Sequence, residues 1–155
     1  MDPVDDVAMP FLLQSAFRNL VDSVHDALDA AGFPGVRATH GFAMQAIGTG
    51  CTSVELAERL GVSKQAATKT AQALETMGFI ERAANPRDRR ERLLRPTRRG
   101  RTMLRLSATA FRAELSAWRE RVGDADVDTT LATLAQVGRG GRSHTDLSDW
   151  TPEGG

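Results

Sequence analysis

Residues 52–82 read TSVELAERLGVSKQAATKTAQALETMGFIER, and this run limits the fold more than any other part of the chain. Thr52 followed by Glu55 has capping-box spacing, in which each residue satisfies a backbone N–H of the other's turn. Val54, Leu56, Ala57 and Leu60 then share one helical face. Gly61 allows a tight turn, Val62 plugs it, and Ser63 can cap the next helix. That helix, over 63–77, buries Ala67, Thr70, Ala71, Leu74 and Met77, and Gly78 can end it in a left-handed conformation. Two short helices joined by a glycine-containing turn form a helix-turn-helix unit.

The next segment reads as a hairpin. FIER, 79–82, is a short strand, AANPRDRRE a turn-rich loop, and RLLR a returning strand that Pro96 stops. A hairpin directly after a helix-turn-helix is a wing. This wing is cationic: residues 85–101 hold eight arginines against Asp88 and Glu91, a net charge of +6. The chain as a whole is formally neutral. Residues 1–30 sum to −5, residues 81–105 to +7 and residues 114–155 to −4. A basic middle between acidic ends suits a central polyanion-binding face, with ends that do something else.

The flanks are helical. Leu13, Phe17, Leu20, Val21, Val24, Leu28 and Ala31 recur at three- and four-residue steps from Phe11 onward, and Gly32 and Pro34 close that helix. A shorter helix from about Thr39 carries Phe42, Ala43, Met44 and Ile47, and GTG at 48–50 breaks it. Thr97 caps a long helix over 97–122. Its seam of Leu104, Ala108, Phe111, Leu115, Trp118 and Val122 suits burial against a partner helix. A last helix over 127–137 uses Val127, Leu131, Leu134 and Val137. The tail 138–155 is rich in glycine and polar residues and reads as flexible, with Trp150 a local anchor.

Composition excludes several classes. Hydrophobic residues make up 41% of 155, enough for the core of one domain with helical arms. No apolar run approaches a membrane span, and the acidic N-terminus lacks the basic start of a secretory signal. A single cysteine, Cys51, builds no internal disulfide, so a cytoplasmic protein is expected. His25, His40 and His144 are scattered, with no metal-ligand spacing, phosphate-cradling loop or nucleophile motif. The expectation is a non-enzyme with neither metal nor cofactor.

The helix-turn-helix, the Gly78 stop, the DRR of the wing (Asp88, Arg89, Arg90) and the T-x-x-G start of the next helix (Thr97, Gly100) occur in order from about Thr52 to Arg101. In these elements the chain resembles the MarR family of winged-helix transcription regulators. The resemblance implies a mainly α fold: a winged helix-turn-helix with a two-stranded β wing, flanked by N- and C-terminal helices that form a dimerisation domain. The corresponding division is 1–36 for the N-terminal dimerisation helix, 37–101 for the winged unit, 102–137 for the C-terminal dimerisation helices, and 138–155 for the tail. It further implies a bacterial homodimeric regulator, a repressor in the simplest reading, on a pseudo-palindromic operator. Small ligands or oxidation would release the DNA.

On the second helix of the unit the outward residues are Ser63, Lys64, Gln65, Thr68, Lys69 and Gln72, and both lysines of the chain lie there. Gln65, Thr68 and Lys69 suit base edges, because glutamine pairs with adenine, lysine with guanine, and a threonine methyl with thymine. Ser63, Lys64 and Gln72 suit phosphates. A narrow tip with Arg87, Arg89 and Arg90 suits a minor groove. Asp88 is expected to bridge a neighbouring arginine and hold the loop's shape. At least one of Arg92 and Arg95 is expected to serve structure, while Arg98, Arg99 and Arg101 read as solvated.

An effector pocket is expected where the first two helices, the winged unit and the long helix meet. Phe17, Val21, His25, Arg37, His40, Met44 and Phe111 are the candidates, with Arg37 or His40 meeting an anionic aromatic ligand. The plainer alternative makes the apolar members core and His40 an ordinary helix-start residue. Cys51 is either a redox switch or a small inert turn residue. A rival of another class is a protein-interaction module that has lost DNA binding; the arginine-rich wing argues against it.

Overall fold

The computed structural model describes residues 4–138. A single 3-10 turn, Asp6–Ala8, leads into α1 (Met9–Ala30), followed by α2 (Ala38–Ile47), α3 (Ser53–Leu60) and α4 (Lys64–Thr76). The strands β1 (Ile80–Ala84) and β2 (Arg92–Pro96) form one antiparallel hairpin, and α5 (Arg98–Val122) and α6 (Asp124–Val137) complete the described chain. The Gly-rich tail and Trp150 lie outside the described residues, apart from Gly138.

Local chemistry accounts for the helix-turn-helix. Thr52 Oγ1 accepts the Glu55 N–H at 3.2 Å, while Glu55 Oε1 accepts the Thr52 N–H at 3.4 Å. An N-cap of this kind stabilises its helix by about 1 kcal/mol. Gly61 adopts a left-handed φ of 69°, and Ser63 Oγ then accepts the Ala66 N–H at 3.1 Å to start α4. Gly78, at φ 77°, ends α4, with the Phe79 N–H reaching back to the Leu74 carbonyl at 2.9 Å. Ala67, Ala71 and Leu74 are fully buried, whereas Thr70 and Met77 are only half-buried, so the inner stripe of α4 is narrower than expected.

One apolar cluster joins α1 to α5 and the hairpin. It runs from Val24 and Leu28 on α1 through Phe33, Met44 and Ile47 to Leu56, Leu74, Phe79, Leu94 and Met103. The start of α5 is drawn tightly onto the turn after α4. Thr97 donates its N–H to the Phe79 carbonyl at 2.9 Å and its hydroxyl to the Gly78 carbonyl at 2.5 Å, and its oxygen caps the Gly100 N–H at 3.1 Å.

Several boundaries differ from expectation. α1 starts two residues early, at Met9, because Pro10 fits the first helical turn, where a missing N–H costs nothing. β1 extends to Ala84, since Ala83 and Ala84 pair with Leu93 and Arg92 and leave a loop of 85–91. α6 begins at Asp124, where Arg119 holds the carboxylates of Asp124 and Asp128 at 3.4 and 2.7 Å. Acids in its first turn also suit the positive end of the helix dipole.

The α5 seam is largely covered within the chain. α1 packs along α5, and Leu104, Ala108, Leu115 and Trp118 are half-buried, which leaves Phe111 and Val122 exposed. The larger uncovered apolar surface lies at the two ends: Val4, Val7, Met9, Phe11, Leu12 and Leu13 at one, Leu131, Leu134 and Val137 at the other.

Candidate nucleic-acid interface and ligand pocket

The outer face of α4 is open. Ser63, Lys64, Gln65, Lys69 and Gln72 are exposed and Thr68 is half-buried. Two of the six are partly committed: Ser63 Oγ caps the helix, and the Thr68 hydroxyl donates to the Lys64 carbonyl at 2.9 Å. That bond leaves the Thr68 methyl as its free contact group. Lys64, Gln65, Lys69 and Gln72 have no side-chain partner among the described residues.

The wing tip is held by two short side-chain bonds to its own backbone. Asn85 Oδ1 accepts the Arg87 N–H at 3.0 Å, and Asp88 Oδ1 accepts the Arg90 N–H at 2.9 Å. Asp88 thus shapes the loop through the backbone and not, as expected, through a guanidinium. Arg87, Arg89 and Arg90 are exposed, and none of their guanidinium groups has a partner among the described residues. Their charge is therefore free for an external anion.

The remaining arginines divide by neighbourhood. Arg95 pairs with Glu81 at 3.2 Å and Arg92 stays unpaired among the described residues, so the expectation that at least one of the two serves structure matches the geometry. Arg99 is not merely solvated. Its guanidinium lies 4.5 Å over the Phe33 ring and 5.6 Å from the Phe79 ring, and its Nε donates to the Met77 carbonyl at 3.2 Å. It closes the core above the α4 terminus, and only long-range packing reveals that role. Arg101 is also engaged, donating to the Pro96 carbonyl at 2.9 Å.

A mainly apolar cavity of about 210 Å³ lies between α1, α2 and α5. Each helix presents an i, i+3, i+4, i+7 face to it: Val21, Val24, His25 and Leu28; Ala38, Gly41, Phe42 and Gln45; Leu104, Ser107, Ala108 and Phe111. Val36 and Arg37 complete the wall. Of the expected residues, Val21, His25, Arg37 and Phe111 line it. Phe17, His40 and Met44 do not. Phe17 stacks on Phe42 with ring centroids 6.5 Å apart, Met44 is wholly enclosed in the core, and His40 Nδ1 accepts the Arg37 N–H at 2.9 Å at the start of α2. The polar residues Gln45 and Ser107 also line the cavity, and their only signal in the sequence is the helical spacing that puts each on the lining face.

Burial, and after it the Arg37 charge, holds the His25 imidazole below the usual histidine range. The same two causes, in the same order, lower His40, and His25 adds to them. Both rings therefore favour the neutral form, and Arg37 is the permanent cation at the cavity.

Cys51 is not a simple turn residue. Its N–H donates to the Leu94 carbonyl at 3.1 Å and its carbonyl accepts the Leu94 N–H at 2.7 Å, an antiparallel bridge to the wing. It is only 1% exposed, and burial pushes its thiol up, away from the reactive thiolate. Among the described residues no group of histidine, cysteine and acidic side chains could hold a metal ion, and no helix is long and apolar enough to cross a membrane.

Comparison with known proteins agrees with this geometry. Residues 42–91, from α2 through the wing tip, match the model of the MarR family. No curated protein matches the chain. Among solved structures, FabT of Streptococcus pneumoniae in complex with DNA is similar over 86% of this chain and 94% of its own, at 21% identity and a TM-score of 0.71. A cysteine-to-serine variant of Escherichia coli MarR complexed with operator DNA is similar over 88% and 99%, at 21% identity and a TM-score of 0.64. CouR of Rhodococcus jostii bound to p-coumaroyl-CoA is similar over 88% and 94%, at 22% identity and a TM-score of 0.63. At these identities the structures establish the fold, a mainly helical chain with a two-stranded wing and packed terminal helices. The segment from α2 through the wing tip is thus similar to the MarR family, and the chain as a whole shares the fold of these structures.

Proposed function

We propose that this chain binds duplex DNA as a homodimer at a pseudo-palindromic operator, as a repressor in the cytoplasm. The observation that carries the reading is the pair of uncommitted polar surfaces on neighbouring elements. α4 offers Lys64, Gln65, Lys69 and Gln72, with the Thr68 methyl between them, and the wing offers three guanidinium groups, unpaired among the described residues, at a loop braced by Asn85 and Asp88. Such a helix suits a major groove and such a tip a minor groove. Two of the similar structures, FabT and the MarR variant, were solved with DNA.

The dimer rests on the termini. Large apolar side chains stay exposed at residues 4–13 and 122–137, the segments assigned to dimerisation. A second copy would cover both at once.

A small anionic ligand is the proposed effector, held in the α1–α2–α5 cavity with Arg37 as its charge partner. CouR, a structure of the same fold, holds an acyl-CoA; a cavity of about 210 Å³ suits a far smaller molecule here. Ligand and terminal helices share α1 and α5, so occupancy would alter the spacing of the two winged units.

The deciding experiment joins light scattering with duplex titration. The expected result is a dimer whose log–log salt dependence has a slope near −7, from about eight neutralised phosphates. A stable monomer, or a slope shallower than about −2, would sink the proposal.

A further inference from the structure

Beside the wing lies a second groove, of about 500 Å³, between the Gly48–Thr49 turn, the root of the hairpin and the start of α5. Its walls include Glu81, Arg95, Arg98 and Arg101. Neither the helix-turn-helix nor the apolar cavity accounts for three arginines and one glutamate lining the same groove. We propose that Arg95, Arg98 and Arg101 bind a phosphate-bearing ligand in this groove.

Two of the three side chains are already positioned. Glu81 holds Arg95 at 3.2 Å, and the Pro96 carbonyl holds Arg101 at 2.9 Å. Each bond leaves most of the five guanidinium donors free. The Arg98 guanidinium has no partner among the described residues. After Glu81 offsets one charge, the groove retains +2, which matches the −1.5 to −2 of a phosphate group. Guanidinium forks bind phosphate in a bidentate manner, so pre-positioned arms gain geometry as well as charge. Thr49 lines the same groove.

The groove is separate from the wing tip. Arg95 stands five residues after Arg90, on the order of 15 Å of extended chain. The phosphate has two possible sources, a free small molecule or the backbone of DNA wrapped past the tip.

The test titrates inorganic pyrophosphate into the full chain by calorimetry, for wild type, Arg98→Ala and Arg98→Lys. Arg98 is exposed and unpaired among the described residues, so the variants should melt with wild type. Binding at least tenfold weaker in Arg98→Ala, and partly restored by lysine, supports the site. A parallel salt titration with a random 30-base-pair duplex identifies the source. An unchanged slope with the pyrophosphate loss means a free phosphate. A slope shallower by about 1.8 per dimer, one phosphate per protomer, means DNA backbone. Pyrophosphate binding that is absent from wild type, or equal in wild type and Arg98→Ala, overturns the proposal when the slope is also unchanged. Should the chain bind no duplex at all, the operator-binding function falls, while the pyrophosphate arm still decides this site.

Discussion

Gly100 sits so close beneath the carbonyl oxygen of Phe79 that no β carbon fits between them. A Cβ at Gly100 would also come within 2.8 Å of the Met44 methyl. This contact seats α5 against the turn after α4, at the point where Thr97 bonds the Gly78 and Phe79 carbonyls. Gly100→Ala is therefore expected to destabilise the fold by about 1–3 kcal/mol, the usual range for an overpacked core. Chemical denaturation checks it. Full stability in the alanine variant would contradict the close approach.

Arg90→Glu addresses the wing. The Arg90 backbone N–H is bonded by Asp88, whereas its guanidinium has no partner among the described residues, so reversing the charge should leave the fold within about 0.5 kcal/mol of wild type. Duplex affinity should drop at least tenfold, with a shallower salt dependence. An unchanged affinity would favour a protein-docking role for the winged unit.

The two lowered histidines make stability depend on pH. Each folded-state pKa lies below the ordinary value of 6.5, so the unfolded chain takes up protons first as pH falls. The stabilisation is complete above pH 6.5 and is lost as pH falls from there through the folded values. For His40 the physical reason is visible, since a proton on Nδ1 would abolish its bond from the Arg37 N–H. Urea melts at pH 7.5 and pH 5 should show this decline, and His40→Gln should reduce it without removing the His25 share. A wild-type stability that is flat or rises toward pH 5, after the carboxylates are accounted for, would refute it.

Cys51 should behave as a structural thiol. A thiol reagent is expected to modify the native chain slowly and the chain in guanidinium at once. Mild oxidation should leave duplex affinity unchanged. Rapid native modification accompanied by DNA release would revive a redox role.

The helix-turn-helix was legible because its determinants lie within a few residues of one another. Thr52 and Glu55, Gly61 and Ser63, and Thr97 and Gly100 act across one turn of chain, and a hydrogen bond of that reach depends little on the rest of the fold. The same holds for the exposed face of α4, which is set by the period of Ala67, Ala71 and Leu74. The pocket was only half legible. Helical spacing marks the lining face of each helix, yet nothing local states which faces converge, so Met44 and Phe17 were as eligible as Gln45 and Ser107.

From the order of its residues alone, this chain determined which segments form helices, the caps of the helix-turn-helix, the placing of its wing and the concentration of charge there, because these arise from caps, turns and periodicity. Tertiary packing decided which charges remain available. Arg99 went to the rings of Phe33 and Phe79, Arg95 to Glu81 and Arg101 to Pro96, whereas Arg87, Arg89 and Arg90 kept no side-chain partner among the described residues. Packing likewise joined Cys51 to Leu94, two residues far apart along the chain. Identical side chains in one basic run differ only in what the folded chain brings beside them, and that is set by contacts distant in sequence.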